Sequence, residues 1–234
     1  MSTDYFKLYS NLNDLQKIIL ESTTKWVNKY VRPNIQNSFI SGEPINLKSE
    51  LAELGAFGSI FPEKYGGLNL DFISYGLMMK ELEKGDSSVR VMSSIQTSLV
   101  MYSIYSFGSE EQKKKYLPDL ASGKITGCFA MSEPSHGSDI SNMLTKFKIN
   151  GKNIIINGSK LWIGNAEESD ISIVWARNDL NDIQGIIVET KNISNFKSTT
   201  IKNKWSFRSS HTGELFFDNS VIPKNYLLPG TKSI

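Results

Sequence analysis

Two hydrophobic periods divide the chain. Apolar positions recur at helical spacing through its first half and alternate through its second. Asn13 to Tyr30 carries Leu15, Ile18, Ile19, Trp26, Val27 and Tyr30 at helical spacing. Asn46 to Leu54 predicts a shorter helix that Gly55 ends, and Tyr65-Gly66-Gly67 marks a loop over Glu63 to Asn69. Asp71 to Lys84 predicts an amphipathic helix with Phe72, Tyr75, Met79 and Leu82 on one face and Gly85 as its stop. Ser87 to Phe107 is long and mostly apolar, which assigns it to the interior of a helical bundle. Ser109-Glu-Glu-Gln112 fits a capping box that opens another helix, and Pro118 suits the start of a short turn to Ala121.

Strands are predicted at Thr126 to Met131, Lys146 to Ile149, Asn153 to Ile163, Ile171 to Ala176 and Gly185 to Val188. Weaker signals lie at Thr199 to Lys202 and Glu214 to Phe217. Asn150-Gly151 and Asn157-Gly158 both read as hairpin turns. Helices followed by strands indicate an α+β chain: a helical domain over residues 1–124, then a β domain over 125–234.

Composition narrows the function classes. The 234 residues are 39% hydrophobic and can bury a real core. A net charge of +2 is too weak to indicate a nucleic-acid partner. Arginine occurs only at positions 32, 90, 177 and 208, so each asks for a reason that lysine would not satisfy. The single cysteine, Cys128, lies in an apolar run and reads as core. No apolar run approaches the ~20 residues of a membrane span. The first fifteen residues lack the pattern of a secretory or transit peptide, so the expected compartment is the cytoplasm. No Cys/His metal constellation, P-loop or G-x-G-x-x-G occurs, and neither histidine has the context of a Ser-His-Asp hydrolase.

Two segments carry the chemistry. Cys128-Phe-Ala-Met-Ser-Glu-Pro-Ser-His-Gly-Ser-Asp139 is an apolar run that breaks into a small polar loop, as a strand end must if its backbone N–H groups are to approach an anion. Lys160-Leu-Trp-Ile-Gly-Asn165 is an alternating strand whose indole offers a flat face to another ring. In this order and at this spacing they resemble the flavin-binding segments of the acyl-CoA dehydrogenases. Gly108-Ser-Glu-Glu-Gln-Lys-Lys-Lys-Tyr-Leu-Pro118, Leu215-Phe-Phe-Asp218 and Val221-Ile-Pro223 are similar to that family too. The resemblance covers about Phe57 to Gly230. Glu81-Leu-Glu-Lys-Gly-Asp-Ser-Ser-Val-Arg90 and Ser94-Ile-Gln-Thr-Ser-Leu-Val-Met101 are most similar to its glutaryl-CoA dehydrogenase branch.

The resemblance implies a helical domain and a β-barrel-like domain around FAD, with Phe129, Met131, Ser132, Trp162 and Ile163 against the flavin ring. It sets Ser138 at the pyrophosphate and thioester. By pattern alone Phe129, Met131 and Ile163 are strand core. Where the family usually has threonine after Trp-Ile, this chain has Gly164, which has no hydroxyl for the flavin. Losing one such donor costs ~0.5–1.5 kcal/mol, so weaker FAD binding or slower flavin reduction is expected. His136 reads as a solvated loop residue, with the phosphates as its other reading. Arg208 and His211 lie in a Ser-rich loop.

Arg90 stands near the start of an apolar helix and must be paired if it faces the core. Glu83 or Glu81 could pair with it internally. The resemblance instead assigns Arg90 and Ser94 to the far carboxylate of a dicarboxylyl-CoA such as glutaryl-CoA, with Glu83 tuning the arginine. A bidentate carboxylate site explains arginine over lysine. In this family a glutamate from a C-terminal helical domain removes the α-proton, electrons pass to an electron-transfer flavoprotein, and the glutaryl branch adds decarboxylation. Here the sequence reaches only the end of the β domain. No catalytic residue is assigned, and Glu133 reads as structural. The expectations are an enzyme part completed by a second chain and oligomeric when complete, a remnant without turnover, or a flavin-, acyl-CoA- or partner-binding protein on the same scaffold.

Overall fold

The computed structural model describes Asp4 and residues 6–231. Its first half is helical: α1 (Asp14–Tyr30), α2 (Ile35–Ser41), α3 (Lys48–Glu53), α4 (Phe72–Gly85), α5 (Ser87–Ser94), α6 (Tyr102–Phe107) and α7 (Glu110–Ala121). A π-helical segment, Ile95–Met101, joins α5 to α6 without a break. Capping residues start the helices where the sequence indicates. Asn13 and Gln16 form one reciprocal capping box and Ser109 and Gln112 another. Asp71 accepts from Ser74 N, and Asp86 from Ser88 N, both at 2.8 Å.

Several expectations need correction. α2 gave no clear signal, because its apolar Phe39 and Ile40 point outward. Leu15 and Ile18 of α1 are exposed, while Trp26 and Val27 carry its burial. Phe72 is 72% exposed, whereas Leu82 of the same predicted face is buried, Tyr75 and Met79 are half-buried, and α4 also buries Leu77, Met78 and Glu81. Glu81 faces α1, where Thr24 Oγ1 donates to it at 3.0 Å, and Lys80 and Lys84 of its own helix lie within 2.9 Å. Pro118 sits inside α7 and does not begin a separate turn; its missing N–H costs the last turn only one bond.

The second half is one curled seven-stranded sheet. Its strands are β1 (Gly127–Ala130), β2 (Lys146–Asn150), β3 (Asn153–Gly164), β4 (Ile171–Arg177), β5 (Ile183–Glu189), β6 (Phe196–Thr200) and β7 (Thr212–Pro223). The order runs β1-β4-β2-β3-β7-β6, with β5 also on β4. Asn150-Gly151 is the β2–β3 hairpin turn, with Gly151 at φ 61°. Asn157-Gly158 is not a turn. It lies inside β3 at a β-bulge, and a side chain at Gly158 would strike Thr145.

β4 is buried along nearly its whole length because both its faces are covered. Ile171, Ile173 and Trp175 pack against Val100, Ile104, Leu117 and Leu120 of the helices. Val174 and Ala176 turn into the sheet's interior with Phe147, Ile154, Ile156 and Leu215. Buried Gln96 fastens the two halves: its Nε2 donates to Leu120 O at 3.0 Å and Ile125 O at 2.9 Å, and its Oε1 accepts from Gly127 N at 2.9 Å. Among the described residues, no helix is long and apolar enough to cross a membrane.

Candidate active site

The site lies where α5 meets the end of β3. A bulge between Leu161 and Ile163 breaks the β3–β7 register. It puts Trp162 at φ 64°, a left-handed conformation that a bulky side chain adopts only under constraint. The indole is 63% exposed although it is carried on a strand. Trp162 and Gly164 line a cavity of about 540 Å³ together with Val91, Ile95 and residues 201–207, 210 and 212. Its volume is in the range of small-molecule sites. The wall from α5 and β3 is apolar, while residues 201–212 bring both polar groups, among them Lys202, Asn203 and Lys204, and the apolar Ile201, Trp205 and Phe207. A planar ring with polar edges fits such a pair of walls. Among the described residues, no carboxylate lines this cavity.

Ile163, between Trp162 and Gly164, faces the other way and is buried in the sheet interior. Phe129 and Met131 face the helices and are partly buried there, Phe129 at 6.1 Å from the Trp175 ring. These three side chains pack as strand core. Cys128 is buried beside the Ser169 hydroxyl. Ser132 is half-buried, and its carbonyl accepts from Leu161 N at 3.0 Å, tying the loop to β3. Ser138 is exposed further along that loop.

The anchor of the loop is a pair absent from the sequence-based site. Lys160 is fully buried and donates to Glu133 Oε1 and Met131 O, both at 2.9 Å. Glu133 also accepts from Leu144 N and Thr145 N. Burial pushes the Glu133 carboxyl up, but hydrogen bonds from Thr145, Leu144 and Lys160 outweigh it and hold the group below the usual carboxylate range. Burial pushes the Lys160 ammonium down, against the pull of Glu133. Lys160 falls on the parity of Ile154 and Ile156, so a charge at an inward strand position was its signal.

Arg90, Glu83 and Ser94 come together at the α4–α5 corner. Arg90 Nε donates to Glu83 Oε2 at 2.6 Å, and its Nη1 stands 3.5 Å from Ser94 Oγ. Glu81 is engaged elsewhere. Hydrogen bonds from Ser87 and Arg90 hold the Glu83 carboxyl below its usual range. Arg90 and Ser94 lie outside the lining of the Trp162 cavity, but Val91 and Ile95, each one position further on, are part of it.

The Ser-rich loop is pinned at its feet. Arg208 donates to Phe39 O at 2.8 Å and Lys204 O at 3.2 Å, and Lys204 donates to Ser210 O and Thr212 Oγ1. His211 lies between Glu168 at 2.6 Å and Glu43 at 3.3 Å. Trp205, at the crown of this loop, is 97% exposed. His136 lies 3.9 Å from Glu133.

Family profiles account for both halves. The profile described as "Acyl-CoA dehydrogenase, N-terminal domain" matches residues 13–124, and "Acyl-CoA dehydrogenase, middle domain" matches residues 128–220. The chain belongs to the acyl-CoA dehydrogenase family. Glutaryl-CoA dehydrogenase of Desulfococcus multivorans is 33% identical over 95% of this chain and 58% of its own length. Mitochondrial isovaleryl-CoA dehydrogenase of Pongo abelii is 32% identical over 94% of this chain and 54% of its own length. A glutaryl-CoA dehydrogenase structure from Mycobacterium smegmatis, in complex with FADH2, superposes with a TM-score of 0.93 at 38% identity, over 98% of this chain and 59% of that one. The chain therefore spans a little over half the length of the relatives it matches.

Proposed function

We propose that this chain forms the flavin-holding wall and the acyl-end pocket of an FAD-dependent acyl-CoA dehydrogenase of the glutaryl-CoA type. The observation that carries the reading is the Trp162–Gly164 cavity beside α5: its lining residues Val91 and Ile95 directly follow Arg90 and Ser94 in sequence, and Glu83 of α4 holds Arg90. The cavity suits a flavin ring: it has the Trp162 indole, apolar groups at Val91 and Ile95, and a mixed side where Trp205 and Phe207 stand among Lys202, Asn203 and Lys204. When bound, FAD supplies the hydride acceptor for α,β-dehydrogenation of a thioester.

The chain's own residues do the holding. Trp162 stacks beside the ring, with Phe129 and Met131 packed as the layer beneath β1. Ser132 and Ser138 lie on the loop that Lys160 and Glu133 fasten, available to the ring edge and the pyrophosphate. Arg90 and Ser94 receive the distal carboxylate of a dicarboxylyl-CoA, and Glu83 orients the guanidinium. α-Proton abstraction needs a carboxylate that the walls described here do not carry, so the base comes from a further helical segment, in this polypeptide or a second one. An electron-transfer flavoprotein is the proposed electron acceptor.

Among the described residues no carboxylate lines the cavity, which favours a second reading, a flavin- or acyl-CoA-binding protein without turnover. Titrating the purified chain with FAD, then with glutaryl-CoA and butyryl-CoA, tests both readings. The expected result is flavin binding with a preference for glutaryl-CoA. Failure to bind FAD at millimolar concentration overturns the cofactor assignment, and equal binding of the two thioesters overturns the glutaryl assignment. Turnover without any added protein part removes the need for an outside base.

A further inference from the structure

The space beside Gly164 is taken by the end of one side chain from the helical half. The φ of Gly164 is not in the left-handed region, so its backbone makes no demand for glycine. A Cβ built there would stand 2.4 Å from Ile95 Cδ1 and 3.9 Å from Ile95 Cγ1. Among the described residues, apart from its chain neighbours, nothing but Ile95 comes within 4 Å. The isoleucine of the helical half fills the place that a side chain on the sheet half would take.

Ile95 is also held in position. It is the first residue of the π-helical segment, a local widening that recurs at functional sites. The next residue, Gln96, makes the three hydrogen bonds that join the two halves. The single Thr97 hydroxyl proton is shared between Ala56 O at 2.8 Å and Phe57 O at 2.9 Å. The helix cannot roll without breaking these buried bonds. As a β-branched residue in a helix, Ile95 has its first side-chain torsion restricted, so chiefly its terminal methyl is free to turn.

We propose that Ile95 and Gly164 form one specificity-determining unit in which the helix, not the strand, supplies the cavity floor. A ligand atom beside Gly164 then meets a branched alkyl group and bare backbone. The position favours a C–H edge or a ring carbon and disfavours a ligand group that needs a side-chain hydrogen bond there. The inference rests on the cofactor reading only for the identity of the occupant.

Four variants of the full chain test it: Gly164→Ala, Gly164→Thr, Ile95→Ala, and Ile95→Ala with Gly164→Thr. Thermal unfolding is measured without ligand. Gly164→Ala should shift Tm by less than about 3 °C, because the Ile95 terminal methyl can turn aside. Gly164→Thr brings γ atoms toward Ile95 Cγ1 and should lower Tm by roughly 3–10 °C. The double variant should unfold no lower than Gly164→Thr, although Ile95→Ala alone opens a void and lowers Tm. Additive losses overturn the inference, as does Gly164→Thr at wild-type Tm.

FAD titration of the same proteins, read by flavin fluorescence, supplies the second arm. Ile95→Ala should weaken FAD binding at least threefold. Unchanged binding in that variant overturns the role as cavity floor. Thermal coupling in a chain that binds no FAD overturns the cofactor reading while the steric unit stands.

Discussion

Arg90 Nε donates to Glu83 Oε2 at 2.6 Å across the corner between α4 and α5, and Ser94 stands on the other side of the same guanidinium. Asp86 caps α5 at that corner, which fixes where the arginine leaves the helix. A guanidinium has five N–H donors, and this arrangement engages its Nε and one Nη. Arg90→Lys keeps the charge and loses the planar fork. It should weaken glutaryl-CoA by at least tenfold more than butyryl-CoA in parallel calorimetric titrations. Equal losses would deny Arg90 a part in choosing the ligand.

Trp162 sets a backbone cost against a functional surface. Its left-handed φ costs roughly 1–2 kcal/mol in a residue other than glycine. Trp162→Gly removes that strain and adds chain entropy of ~0.5–1 kcal/mol to the unfolded state. Its Tm should stay within about 3 °C of wild type. FAD binding should fall about tenfold or more, because the stacking face is gone. A large loss of Tm would mean that the indole is a packing residue.

The Lys160–Glu133 pair should be costly to break from one side. Lys160→Met removes the cation that faces Glu133, leaves it its donors from Leu144 and Thr145, and should destabilise by about 3–5 kcal/mol in urea unfolding. Lys160→Met combined with Glu133→Gln should lose less than the sum of the single changes. Amide exchange should quicken at Leu144 and Thr145, whose N–H groups the carboxylate holds.

Glu189 supplies the pH dependence. Burial pushes its carboxyl up, but hydrogen bonds from Lys115, Asn192 and Tyr116 outweigh it and lower the pKa from 4.5 to about 2. A folded pKa below the unfolded one adds stability above the unfolded value and loses it as pH falls toward the folded one. The Tm gap between wild type and Glu189→Gln should be full above about pH 5 and narrow steadily down to pH 3. A gap constant over that range would show that the pair between the α7 lysine and the β5 carboxylate contributes nothing; Lys115 is half exposed, so the gap should be modest.

The fold is legible in the sequence where one local cause dominates. Asn13 and Ser109 announce their helices through side chains that reach only three residues ahead. The strands predicted between Thr126 and Val188 all have counterparts, while Thr199 to Lys202 overlaps β6 at only two residues and Glu214 to Phe217 is the middle of a longer β7. Asn157-Gly158 reads locally as a turn, but its glycine serves a bulge against Thr145. On α4 the predicted face departs at Phe72, which stays in solvent, while Leu82 is buried and Glu81 turns in toward Thr24.

The sequence by itself determined the succession of helices and strands, the capped starts, the inward cysteine and the residue types available at the site. Those follow from spacing and side-chain chemistry along a single stretch of chain. Only the tertiary structure decided that Ile163 turns inward while Trp162 and Gly164 turn to the cavity, since one bulge reverses the parity of the strand. It alone decided that Ile95 fills the space beside Gly164 and that Lys160 holds Glu133, since each contact joins residues tens of positions apart. Such pairs are selected when packing brings two elements together, and no local period along the chain records that event.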